Sequence, residues 1–124
     1  MGSCLEKLSK KWWLASMLML TIVSFFSLMP FSSLPPAPGS DKFHHFISYA
    51  LVVFPIALRM PRFWWVFVFI VVGWSGCIEL IQPYVNRYGE WLDLLANTVG
   101  VFIGCLCGAL ANVLFIKSGG QKAK

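Results

Sequence analysis

Four apolar stretches, residues 12–29, 43–60, 63–82 and 91–116, leave this chain few folds to choose from. Each approaches or exceeds the roughly twenty residues needed to cross a hydrocarbon core of about 30 Å. A soluble domain of this size could not hide so much apolar surface. The 124 residues are 58% hydrophobic and 12% charged, with a mean hydropathy of +0.73, which places the chain in a bilayer. The expected fold is an all-α integral membrane protein, a small four-helix transmembrane bundle.

The connections fit that threading. Residues 30–40 contain Pro30, Pro35, Pro36 and Pro38 with Gly39, a composition through which no helix continues. Arg59-Met60-Pro61-Arg62 has room only for a tight helical hairpin. Pro83 closes the third span, and residues 86–89 offer turn chemistry. The chain thus divides into an N-terminal segment 1–11, a membrane domain 12–116 and a polar tail 117–124. A cleavable signal peptide is the rival reading of the first span, but its apolar run exceeds the usual range of about 7–15 residues. Proline-rich flanks also suit cleavage poorly.

Orientation follows from the basic residues. Alternating spans put Lys7, Lys10, Lys11, Arg59, Arg62, Lys117, Lys122 and Lys124 on one side and only Lys42 and Arg87 on the other. By the excess of positive charge on cytoplasmic loops, both termini are expected inside. The outer face then carries Asp41, Glu79, Glu90 and Asp93, so the net charge of +5 divides into +7 on the inner face, eight basic residues less Glu6, and −2 on the outer face. Those lysines suit anionic lipid headgroups, and no nucleic-acid partner is needed to explain them. Cys4, Cys77, Cys105 and Cys107 show no zinc spacing or lipid-attachment motif and read as apolar filling.

The ionisable and amide side chains of the spans fall almost entirely at the outward ends. A charge at a helix centre in lipid costs on the order of 2.5–3.5 kcal/mol, so such a cluster needs partners or a purpose. Asp41 and His45 are four apart at the start of the second span, with Ser48 and Tyr49 one turn further in on the same stripe. Asp41 also suits a helix N-terminus as a cap. His44 points about 100° away and reads as an interfacial residue. Glu79 and Gln82 share a face near the end of the third span, where a carboxylate must pair, protonate or face water. Arg87 is the cation expected to return over that helix end. Asp93 and Asn97 open the fourth span, and their stripe continues as Gly100, Gly104 and Gly108, small-residue steps that let a neighbouring helix approach closely.

The ordered set Asp41-Lys42-x-x-His45-Phe46-x-x-Tyr49, then Glu79-x-x-Gln82, Arg87, and Asp93-x-x-x-Asn97-x-x-Gly100-x-x-x-Gly104 closely resembles the pattern of VanZ-like membrane proteins. The resemblance covers residues 41–104. His44 doubles the motif's histidine, and Glu90 makes the outer loop more acidic than the motif requires. What the resemblance implies is a small multi-span envelope protein of the bacterial inner (cytoplasmic) membrane. The family's namesake is associated with low-level resistance to the lipoglycopeptide teicoplanin, and many members have no link to antibiotics.

A binding role is the leading expectation. Asp41, His45, Tyr49, Glu79, Gln82, Arg87, Asp93 and Asn97 would line an outward polar pocket, with Trp74 and Trp91 deeper. Such a pocket suits a lipid headgroup, a lipid-linked envelope precursor or the acylated part of a glycopeptide, with Arg87 gripping a phosphate or carboxylate. The runner-up is an enzyme acting on a lipid headgroup, with His45, Glu79 and Asp93 as candidate base and acids. No cofactor is expected; a divalent metal held by Asp41, His45, Glu79 and Asp93 is a weak alternative, because those residues are spread over separate helices and no local ligand pair stands at a known metal spacing. A proton-coupled carrier would use Glu79, yet four spans without an inverted repeat are few for one unless the chain oligomerises.

Overall fold

In a computed structural model of the chain, residues 2–29, 41–85 and 91–117 are described. They form five α-helices: α1 Gly2–Lys10, α2 Trp12–Ser27, α3 Asp41–Arg59, α4 Trp64–Ile81 and α5 Trp91–Ala111. A 3-10 turn, Gln82–Val85, extends α4, and a π-helical turn, Asn112–Lys117, extends α5. The described residues contain no strand, as the apolar pattern predicts. With their extensions, the last two helices, Trp64–Val85 and Trp91–Lys117, are long and apolar enough to cross a membrane. Helix α2 is apolar but shorter, at 16 residues. The segment 1–11, expected only as a flank, contains α1, whose Ser9 is buried while Glu6, Lys7 and Lys10 face out.

The second apolar stretch becomes the centre of the molecule. Along α3, Tyr49, Val52, Val53 and Leu58 are completely buried and Ile56 and Ala57 nearly so. It packs most extensively on α5, then on α2, and less on α4. The tight seam with α5 follows from the glycine stripe. A Cβ on Gly100 would overlap the Phe46 carbonyl, one on Gly104 the Ala50 carbonyl, and one on Gly108 would sit 2.6 Å from Ala57 Cβ. The pairing advances in the same direction along both helices, so α3 and α5 run parallel. Ser24 with Trp74 and Ser27 with Gln82 likewise make α2 and α4 parallel to each other, opposed to the first pair. Consecutive helices from α2 to α5 therefore alternate in direction.

Each end of the body is fastened differently. Where α3 finishes, Met60 adopts φ 49° and its N–H bonds the Ile56 carbonyl at 2.8 Å, a left-handed cap ahead of Pro61. Asn112 Nδ2, buried at the start of the π turn, donates to the Leu58 carbonyl at 2.7 Å. That bond satisfies one of the last carbonyls of α3, which no residue of its own helix reaches, and is worth about 0.5–1.5 kcal/mol net. Ser16 Oγ donates to the Val52 carbonyl at 2.9 Å and ties α2 to α3. The outward faces are apolar: Phe69, Leu80, Phe102 and Leu110 are each at least 60% exposed. An apolar surface this extensive suits lipid better than water.

Candidate functional site

At the other end, the start of α3 meets the end of α4 and the start of α5. The first turns of α3 present Lys42, His45 and Tyr49 at helical spacing on one stripe. Because α5 is drawn against α3 by its glycines, its own first turns bring Asp93 and Asn97 against that stripe. His45 is buried, and its Nδ1–H donates to Asn97 Oδ1 at 3.0 Å, since an amide oxygen can only accept. In the neutral ring the lone pair then sits on Nε2. Lys42 Nζ lies 3.6 Å from Asp93 Oδ1, reaching a buried carboxylate from a half-exposed position.

Glu79 completes the group from α4. One potential donor atom each from His45, Glu79 and Asp93 lies within 4.8 Å of the others, and all three residues are buried. Below them Tyr49 is 0% exposed, and its hydroxyl makes no hydrogen bond. Three helices therefore place an imidazole, two carboxylates and a phenol at one end of an apolar body. This arrangement can accept hydrogen bonds from a polar headgroup, hold a cation, or move a proton through His45 Nε2.

Other expected residues take different parts. Gln82, expected among the pocket residues, is buried, and its Nε2 donates to the Ser27 carbonyl at 3.1 Å and so closes the end of α2, leaving Oε1 without a hydrogen bond. Trp74 does not point into a pocket; its Nε1 donates to Ser24 Oγ at 2.8 Å and holds α4 to α2. Trp91, expected deep, stands at the surface with 83% of its area exposed. His44 is partly buried beside the Phe43 ring and outside the three-residue group, in keeping with its offset of 100°. Asp41 begins α3, but its side chain lies outside the described residues, as do Arg87 and Glu90. Among the described residues, the cation at the site is Lys42. Its spacing of three from His45 was the available signal, obscured by its place in a charged helix start.

The described cysteines are free thiols, with Cys105 partly buried and Cys4, Cys77 and Cys107 exposed on the apolar faces or the N-terminal helix. None approaches the polar group closely enough to join it as a ligand.

No curated protein and no solved structure matches the chain. A family model described as VanZ/LLP1 matches residues 2–112, nearly the whole length and every element that builds the site. The polar pattern on α3, α4 and α5 and the extent of that match agree: the chain belongs to the VanZ/LLP1 family.

Proposed function

We propose that the protein is a multi-pass protein of the bacterial cytoplasmic membrane, a four-span bundle with both termini inside, whose outward polar end binds the headgroup of an amphipathic ligand. The observation that carries this reading is the convergence of His45, Glu79 and Asp93, from three helices, at one end of an otherwise apolar body. Polar groups gathered at that cost are better suited to recognition than to packing, which serine and glycine achieve more cheaply. Lys42 adds a rim cation, and the apolar faces of α4 and α5 lie where a lipid tail would run. A lipid headgroup, a lipid-linked envelope precursor and an acylated glycopeptide such as teicoplanin share this chemistry.

Native mass spectrometry of the protein purified in detergent tests the binding reading. Wild-type protein is expected to retain a lipid or lipid-linked molecule that His45→Ala loses. Equal retention by both would remove the polar end from the site of binding. A second reading, an enzyme acting on a lipid headgroup, is favoured by one feature: the His45 imidazole is oriented by Asn97 so that Nε2 can serve as a base beside two carboxylates. A time-dependent change in the mass of an added lipid would select it.

The topology has its own test. Single cysteines placed at Ser33 and Tyr88, with the native cysteines removed, should react with an impermeant thiol reagent added to intact cells, and one at Ser118 should not. The lysine and arginine distribution demands this pattern. Labelling at position 118 would invert the molecule and put its polar end in the cytoplasm.

A further inference from the structure

We infer that His45, Glu79 and Asp93 form a site for a divalent transition ion, Zn2+ or Mn2+, through which the polar end meets an anionic headgroup. The ion site stands on its own geometry; its contact with a headgroup rests on the binding reading above. One donor atom from each of the three residues lies within 4.8 Å of the others. Around an ion with bonds of about 2.0–2.2 Å, tetrahedral donors stand about 3.3–3.6 Å apart, so closure asks for roughly an ångström of side-chain movement. No ligand pair is visible along the sequence because each ligand comes from a different helix.

Three further observations point to an ion. The His45 Nδ1–H is held by Asn97 Oδ1 at 3.0 Å, the arrangement by which proteins orient a metal-binding imidazole and direct its other nitrogen to the ion. Two carboxylates share a buried space and repel each other, while the neighbouring cation, Lys42, reaches Asp93 from a position 46% exposed at 3.6 Å and can swing outward. The Tyr49 hydroxyl, fully buried, has no hydrogen-bond partner. Tyr49 lies one turn after His45, and helical side chains lean back toward the N-terminus, which brings the phenol beneath the cluster. A buried hydroxyl seldom goes unsatisfied; an oxygen carried on the ion would give it a partner.

The donor set selects the class of ion. Imidazole with two carboxylates suits Zn2+ or Mn2+ better than Ca2+, which prefers oxygen alone. Three protein ligands leave a coordination position open, as in sites that hold a ligand oxygen rather than purely structural ones. A phosphate or carboxylate oxygen would complete such a site, with Lys42 beside it.

The test uses the full chain in detergent, stripped with a chelator, titrated with Zn2+ or Mn2+, desalted and measured for metal content and melting temperature. Wild-type protein is expected to take up one ion per chain and to melt higher when loaded. His45→Ala, Glu79→Gln and Asp93→Asn should lose the uptake, and His44→Ala should keep it. Asn97→Ala, which frees the imidazole without removing it, should weaken ion affinity by about 10–100-fold. Stripped wild-type protein that takes up less than roughly a tenth of an ion per chain at saturating metal overturns the site, and that measurement needs no variant to fold. Uptake unchanged in His45→Ala overturns it equally. Retention of lipid by wild-type protein that binds no ion would end the ion site and leave the binding reading standing. An ion bound without any retained lipid would do the reverse.

Discussion

Gly104→Leu should collapse the seam between α3 and α5 and lower the melting temperature in detergent further than any substitution on the outward faces. A Cβ at this position would overlap the Ala50 carbonyl and approach Val53 Cγ2 to 2.6 Å and Ala50 Cα to 2.8 Å, before the rest of a leucine is added. Backbone cannot step aside as a flexible side chain can, so the helices must separate. Overpacking of this kind typically costs about 1–3 kcal/mol, and contact with backbone places Gly104 at the upper end. Gly76→Ala is the matched control: no atom stands within 4 Å of its added Cβ, and alanine favours a helix over glycine by about 1 kcal/mol. It should melt as the parent does or slightly higher. If Gly104→Leu melts with it, the glycine stripe is not the contact that positions α5.

The effect of Gly104 would also reach the polar end, because the same seam sets Asn97 against His45. This link between packing and site was partly legible along the chain. Gly100, Gly104 and Gly108 repeat at four-residue steps in register with Asp93 and Asn97, so one pattern announces both a close helix contact and the polar groups it carries inward. Hydropathy and the proline segments likewise locate α2 to α5 to within a few residues. Helix α1 was not legible, since nine residues with two lysines and a glutamate carry no apolar stripe long enough to distinguish a short amphipathic helix from a charged flank. Nor was the central position of α3. Its mean apolar character is lower than that of its neighbours, and burial on several sides comes from partners that a single sequence does not identify.

The tertiary roles of amides escaped for the same reason. Gln82 and Asn112 look alike in sequence, polar residues near helix ends, yet each closes the carbonyl end of a different helix more than fifty residues away. Reach of that kind depends on which helices are adjacent. His45, Glu79 and Asp93 could be named because ionisable groups in apolar runs are conspicuous singly. Their mutual distance could not, because no spacing along the chain encodes contact among three helices. Trp91 shows the converse error, an aromatic beside a site residue in sequence but on the opposite side of its helix turn from the cluster, exposed where a membrane interface would lie.

Glu79→Gln is expected to separate binding from stability. Glutamine keeps the size of the side chain and most of its hydrogen-bonding capacity while removing a buried charge, and a desolvated carboxylate in an apolar body is costly. The variant should therefore melt at or slightly above the temperature of the parent protein. Ligand retention should nevertheless fall by tenfold or more, about 1.4 kcal/mol or greater, because the charge is what the headgroup or its ion meets. Were Glu79 only a fastening between helices, stability and binding would decline together. The decisive comparison is melting temperature beside retained lipid for Glu79→Gln, with Gln82→Leu as a variant that removes a fastening and should lower stability first. A Glu79→Gln protein that melts far below the parent, or that melts and binds as the parent does, would mean that the polar end of this molecule is not where it acts.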